Sequence, residues 1–205
     1  MSRCLYCYQP LPPGHGQGPD YHPACSRRLF GKPVPPAFPY TEAEMLALAE
    51  AVVRQHIAVT GVQPKLSLSI APAETAGQPA RFTIVGALGG EYILKPPTPH
   101  YTHLPEVEDL TMHLAGLARL PTVPHGLLRL EGGALAYVTR RIDRVKGRKL
   151  AMEDMCQLTE RLTEHKYDGS HEQVAKAILR YSANPGLDVV NYYEPGALQL
   201  FDGQR

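Results

Sequence analysis

Two short pairs near the N-terminus, Cys4-x-x-Cys7 and His22-x-x-Cys25, limit what residues 1–31 can become. The segment between them holds Pro10, Pro12, Pro13, Gly14, Gly16, Gly18 and Pro19. Such a segment cannot build an apolar core. A metal bridging the two pairs would supply the missing folding free energy. Three thiolates and one imidazole at this spacing suit Zn²⁺ in a closed, tetrahedral, structural site. A disulfide or free thiols are the alternatives. The N-terminus has no apolar stretch ahead of a small-residue cleavage site, so we expect no signal peptide and a cytoplasmic setting. That setting is reducing and disfavours disulfides. His15 could substitute as a ligand, but its spacing to Cys25 is poor.

The 205 residues suffice for one ordinary domain plus a small module, and 43% hydrophobic with 20% charged residues fits a globular chain. No apolar run approaches the roughly 18 residues of a membrane helix. The net charge of +1 argues against a broad nucleic-acid-binding face. After the cysteine module, residues 32–40 (Lys32 to Pro39 above all) read as a stiff, proline-rich linker. No internal repeat is visible.

Residues 41–143 read as a lobe of mixed α+β class. Thr41-Glu42-Ala43-Glu44 is a capping box opening a helix that ends near Gln55. Leu66, Leu68 and Ile70 alternate with Ser67 and Ser69, a half-buried strand. Arg81 to Val85 and Glu91 to Lys95 give two more. Pro105 suits a first helical turn, and Val107, Leu110, Leu114 and Leu117 predict that helix's buried stripe. Gly126 to Leu130 and Ala134 to Thr139 predict a hairpin. Beyond it, helices are expected over 152–162, 172–182 and 187–193, within a helical segment spanning 144–194. Residues 195–205 fit no pattern.

Chemistry concentrates in an ordered series. Gly61 lies in a turn before a strand, where backbone N–H groups can approach a phosphate; such a turn can also be only a turn. Lys95 ends an apolar strand, a place for a solubilising lysine or for a phosphate-pairing one. Glu108, or less well Glu106, is its candidate helical partner, and a solvated helix face is the alternative. A glycine-bearing turn, a strand lysine and a helical glutamate, in that order, are parts a kinase N-lobe uses to hold ATP phosphates.

Val59 to Ser69, Tyr92-Ile93-Leu94-Lys95-Pro96, Pro105 to Leu110, Ala136 to Arg144 and Met152 to Gln157 together resemble the HipA family of serine/threonine kinases. These are toxins of type II toxin–antitoxin modules. The resemblance covers roughly residues 41 to 194. It implies a kinase-like N-lobe followed by the first C-lobe helices. Gly61, Val62, Gln63, Pro64 and Lys65 would line the ATP phosphates, and Lys95 would pair with Glu108. The backbone of Arg140, Arg141 and Ile142 would meet the adenine. Mg²⁺ would accompany ATP in the complete enzyme. Some members autophosphorylate a serine in the loop; Ala58 stands there, with Thr60 the nearby hydroxyl.

No Asp-x-x-x-x-Asn or His-x-Lys-Asn stretch with a following metal-binding Asp occurs after Lys166. Asp168, Asp188, Glu194 and Asp202 lie in no matching context. Pro195-Gly196 is expected to interrupt the last helix. We therefore expect a chain cut off before its catalytic loop, inactive alone. Leu187, Val190 and Tyr193 would then lack partners. The resemblance implies an antitoxin partner, a protein substrate and nucleic acid only through the antitoxin. A separately encoded catalytic segment would complete a split kinase. A non-catalytic module docking on a partner is the rival reading. Cys156 reads as a buried thiol, and His100, His103, His113 and His125 show no ligand spacing.

Overall fold

The computed structural model describes residues 2–12, 20–55, 65–73, 75, 77–85, 89–99, 101–145, 148–165 and 168–201. Helix α1 (Pro23–Phe30) precedes α2 (Glu42–Gln55). Strands β1 (Leu66–Ala71), β2 (Arg81–Val85) and β3 (Tyr92–Lys95) lead to α3 (Leu104–Leu117). Then come β4 (His125–Arg129), β5 (Leu135–Arg140), β6 (Arg144–Val145) and β7 (Arg148–Lys149). Helices α4 (Met155–Leu158), α5 (His171–Tyr181) and α6 (Pro185–Phe201) follow. The expected mixed α+β class holds at this level. No described helix is long and apolar enough to cross a membrane.

Five strands form one antiparallel sheet in the order β2-β1-β3-β5-β4. Partnered residues share a face. Phe82, Leu68, Tyr92, Leu94 and Val138 lie on one side by register. Lys95, Tyr137 and Leu127 lie on the other, where α3 packs against β4 and β5. The capping box of α2 forms as read: Thr41 N and Oγ1 donate to Glu44 Oε2 at 2.7 and 2.8 Å.

The N-terminal segment does not stand apart from this sheet. Cys4, Leu5, Leu11, Tyr21, Leu29 and Phe30 share one buried core with Phe82, Tyr92 and Val138. The Phe30 ring meets Phe82 edge-on with centroids 5.6 Å apart. Leu127 N on the edge strand β4 donates to Leu5 O at 3.0 Å, and the Tyr21 hydroxyl donates to Leu127 O. The proline-rich segment covers part of the opposite edge. Ala37 N donates to Ala80 O at 2.7 Å, and Phe82 N donates to Ala37 O at 2.9 Å. A linker holding two independent units apart is thus corrected to a strap: exposed strand edges demand hydrogen-bond partners, and this segment provides them.

Three further expectations change. Val107, Leu110 and Leu117 are 43%, 51% and 81% exposed, so the apolar stripe of α3 faces outward. The sheet beneath presents Lys95 and His125, and buried polar groups need partners more than they need apolar cover. The helix therefore turns Glu108 and Asp109 inward. The helix expected over 152–162 shrinks to α4, capped by Asp154 and Gln157 and closed before Glu160, whose φ of 56° is left-handed. Pro195 lies inside α6 rather than ending it. It removes one N–H donor, and the helix continues past that loss.

Gly90 makes the entry to β3 possible. Its φ is +76°, and a Cβ there would sit 2.6 Å from the backbone oxygen of Leu68. Both conditions exclude other residues. Gly90→Ala should therefore lower unfolding free energy by about 2 kcal/mol or more, read from urea denaturation.

Candidate functional site

Lys95 ends β3, and Glu108 sits one turn into α3; their side chains form an ion pair. The two side chains remain 29% and 25% exposed, so the pair borders solvent. Lys95 Nζ also lies 5.6 Å from the Tyr137 ring centroid, within cation–π range. Burial, then Glu108 and Asp109, push the Tyr137 phenol up from its ordinary value. Of the two candidate carboxylates, Glu108 is the one that meets Lys95. Glu106 instead meets His103 Nδ1 at 3.2 Å.

Gly61, Val62, Gln63 and Pro64, with Ala58 and Thr60, lie outside the described residues. Lys65 is described and exposed. At the end of β5, Arg140 N donates to Pro124 O at 2.9 Å and Arg141 N to Glu91 O at 2.8 Å. Those two N–H groups are spent inside the fold. Ile142 is 66% exposed beside them.

Asp143 anchors this turn. It is 5% exposed, and Arg141 grips it with two hydrogen bonds of 2.8 and 2.7 Å. Arg144 Nη1 adds a third at 2.5 Å. Arg141 Nη1 also reaches Gly89 O at 3.2 Å, tying the turn to the loop before β3. The Arg141 hydrogen bonds, helped by Arg144 against the opposing effect of burial, hold the Asp143 carboxyl down at about 2.

The four N-terminal ligand candidates converge. The ligand atoms of Cys4, Cys7, His22 and Cys25 all lie within 4.8 Å of one another. His22 Nδ1 is 3.5 Å from Cys7 Sγ and 3.9 Å from Cys25 Sγ. A tetrahedral zinc with bonds of about 2.0–2.3 Å separates its ligands by roughly 3.5 Å, so the set fits that ion. His22 Nε2 lies 3.1 Å from Pro10 O. A proton on Nε2 satisfies that carbonyl and leaves the Nδ1 lone pair for a metal. Burial pushes the Cys4 thiol up, but backbone N–H donors of His22, Tyr6 and Cys7 together bring it down to about 7. Burial, then Cys7, pushes the Cys25 thiol up to about 12.

A second cluster escaped the sequence reading. Asp109 is fully buried, with His125 Nδ1 at 2.7 Å from its Oδ1 and the Tyr8 hydroxyl donating to its Oδ2. His113 Nδ1 lies 2.9 Å from Asp109 O, and His113 Nε2 lies 2.8 Å from Tyr6 O. The i,i+4 spacing of Asp109 and His113 was the available signal. Cys156 is half-buried rather than buried, its thiol near Arg161 O at 3.2 Å.

Residues 57–200 match the HipA-like C-terminal domain. The chain belongs to that family. No curated protein matches it. Among solved structures it is similar to HipA of Shewanella oneidensis MR-1, described in complex with HipB and operator DNA of a toxin–antitoxin system. The identity is 20% and the TM-score 0.47, covering 76% of this chain and 43% of that one. The chain thus spans less than half the length of that relative.

The Asp143 arrangement predicts an acid dependence. Its folded value lies below the ordinary carboxylate value, so its contribution is complete above that ordinary value and lost as pH falls through about 2. Unfolding free energies at pH 6 and pH 2 should differ more for the natural chain than for Asp143→Asn, by about 2 kcal/mol at most.

Proposed function

We propose that this HipA-like chain is the nucleotide-binding part of a serine/threonine protein kinase. The Lys95–Glu108 ion pair carries the reading. A lysine at a strand end, bordered by solvent and braced by a helical carboxylate, can hold its ammonium against the α/β-phosphates of ATP. Lys65 and the backbone of Gly61, Val62, Gln63 and Pro64 would close over the phosphates, and Ile142 would border the base. Lys95 orients the phosphates, Glu108 fixes Lys95, and the Arg141–Asp143 clamp holds the segment leading away from the sheet. ATP would bring Mg²⁺ as charge neutraliser.

Residues 1–205 contain no catalytic-loop Asp in a matching context. In this reading the chain binds nucleotide and transfers phosphate to a protein only with a companion segment. An antitoxin is the expected regulator, and contact with nucleic acid would pass through it. A docking module without catalysis is the second reading, favoured by exposed Leu187, Val190 and Tyr193 at 62%, 54% and 44%. Phosphotransfer from labelled ATP, with and without the product of the neighbouring gene, separates the two.

Calorimetry with MgATP tests the first reading directly. Lys95→Ala should weaken binding at least about tenfold, since it removes the charge facing the phosphates. Binding unaffected by this change would refute the assignment.

The Cys4, Cys7, His22 and Cys25 set is proposed to hold one structural Zn²⁺. Its donor chemistry and mutual distances support this. About one zinc per chain is expected, lost when Cys4 and Cys25 become Ser. Because these residues share the core of the sheet, metal loss should lower the melting temperature of the whole chain. Two separate thermal transitions would contradict that, as would metal retained in the double variant.

A further inference from the structure

The N-terminal segment and the helix carrying Glu108 meet through a partly buried polar network centred on the buried Asp109. Tyr6 lies within the Cys4–Cys7 turn, and Tyr8 follows it. The Tyr8 hydroxyl donates to Asp109 Oδ2, and Tyr6 O faces His113 Nε2 at 2.8 Å. Tyr8 has a left-handed φ of 59°. Glycine would adopt that conformation without strain, whereas a bulky residue stays there only when its surroundings hold it. The holding contacts are visible: the Tyr8 ring stacks on His113 with centroids 4.6 Å apart, and its hydroxyl ends on Asp109. Asp109 directly follows Glu108, the partner of Lys95.

We propose that Asp109 is a positioning residue tying the rotation of α3 to the Cys4–Cys7 turn, so that metal binding there and phosphate binding at Lys95 are coupled. The proposal rests on the nucleotide and zinc readings above. Adjacent helical residues point about 100° apart on one rigid rod. A rotation that swings Glu108 away from Lys95 would drag the Asp109 carboxyl group off Tyr8 and His125 and leave it buried without hydrogen-bond partners. A metal held by Cys4, Cys7, His22 and Cys25 would fix the turn that presents Tyr6 and Tyr8. Without it, that turn is free to relax the strained Tyr8 backbone. Linkage makes the effect reciprocal: metal strengthens nucleotide binding by the factor by which nucleotide strengthens metal binding.

The test uses the whole chain, natural, Tyr8→Phe and Asp109→Asn, zinc-loaded and chelated. The first readout needs no nucleotide: the rate at which an amine-reactive ester acylates Lys95, followed by mass spectrometry. Chelation should speed acylation about fivefold or more in the natural chain, the lower range of typical coupling. Zinc-loaded Tyr8→Phe, folded by circular dichroism and retaining its metal, should already react at the faster rate. Asp109→Asn should behave likewise. MgATP calorimetry should show the same dependence on metal in the natural chain and its loss in Tyr8→Phe. A natural chain indifferent to chelation overturns the proposal. So does zinc-loaded Tyr8→Phe that protects Lys95 as the natural chain does. Acylation that follows the metal while MgATP fails to bind would sustain the coupling and defeat the nucleotide reading alone. A chain that takes up no zinc defeats the coupling together with the zinc assignment.

Discussion

A carboxylate with no access to water sits at the centre of this molecule. Asp109 is 0% exposed, and burying a carboxyl group is tolerable only when hydrogen-bond partners surround it. Its donors come from distant parts of the chain: Tyr8 from the cysteine turn and His125 from the edge strand. Neither reaches Asp109 unless the turn, the strand and the helix are all in place. The need to satisfy this one side chain therefore specifies the mutual arrangement of three elements that apolar packing alone could slide. It also explains why α3 turns an acidic side inward and leaves Val107, Leu110 and Leu117 facing out.

The same N-terminal segment serves both edges of the sheet. Leu5 accepts from the outer strand β4, and Ala37 exchanges hydrogen bonds beside β2. Between these points α1 lays Leu29 and Phe30 over the sheet face formed by Phe82 and Tyr92. Gly126 records how close this cover comes: a Cβ there would lie 3.1 Å from both Leu29 Cδ2 and Leu5 O. A segment without a core of its own borrows that of the sheet, and the sheet gains cover and edge partners. The family match begins at residue 57, beyond this cover, yet its contacts fall on Asp109, His113 and Leu127 within the matched span.

Local signals were legible in the sequence. The strands, the capping box at Thr41 and the hairpin follow from alternation and turn chemistry. Cys4, Cys7, His22 and Cys25 converge because ligand-pair spacing is a local property. Lys95 and Glu108 also meet as expected. What escaped was non-local. Asp109 looks like any surface acid of a helix until Tyr8, 101 residues away in sequence, is brought to it. The proline-rich stretch has the composition of a spacer, and only the open edge of β2 makes it a strap. The apolar residues of α3 carry a helical period whose phase misleads, because the sheet beneath offers charges rather than a greasy surface.

The adjacency of Glu108 and Asp109 gives one helical turn two different duties. Glu108 is a quarter exposed and faces a partly exposed lysine, so its pair is solvent-screened and weak by itself. Such a pair cannot hold a helix in place. Asp109 can, because displacing it strands a buried carboxyl group without its hydrogen-bond partners. The weak, accessible pair, suited to meeting a charged ligand, is therefore positioned by a strong, inaccessible one. Stability is concentrated where solvent is excluded, while the ammonium of Lys95 stays at the solvent border.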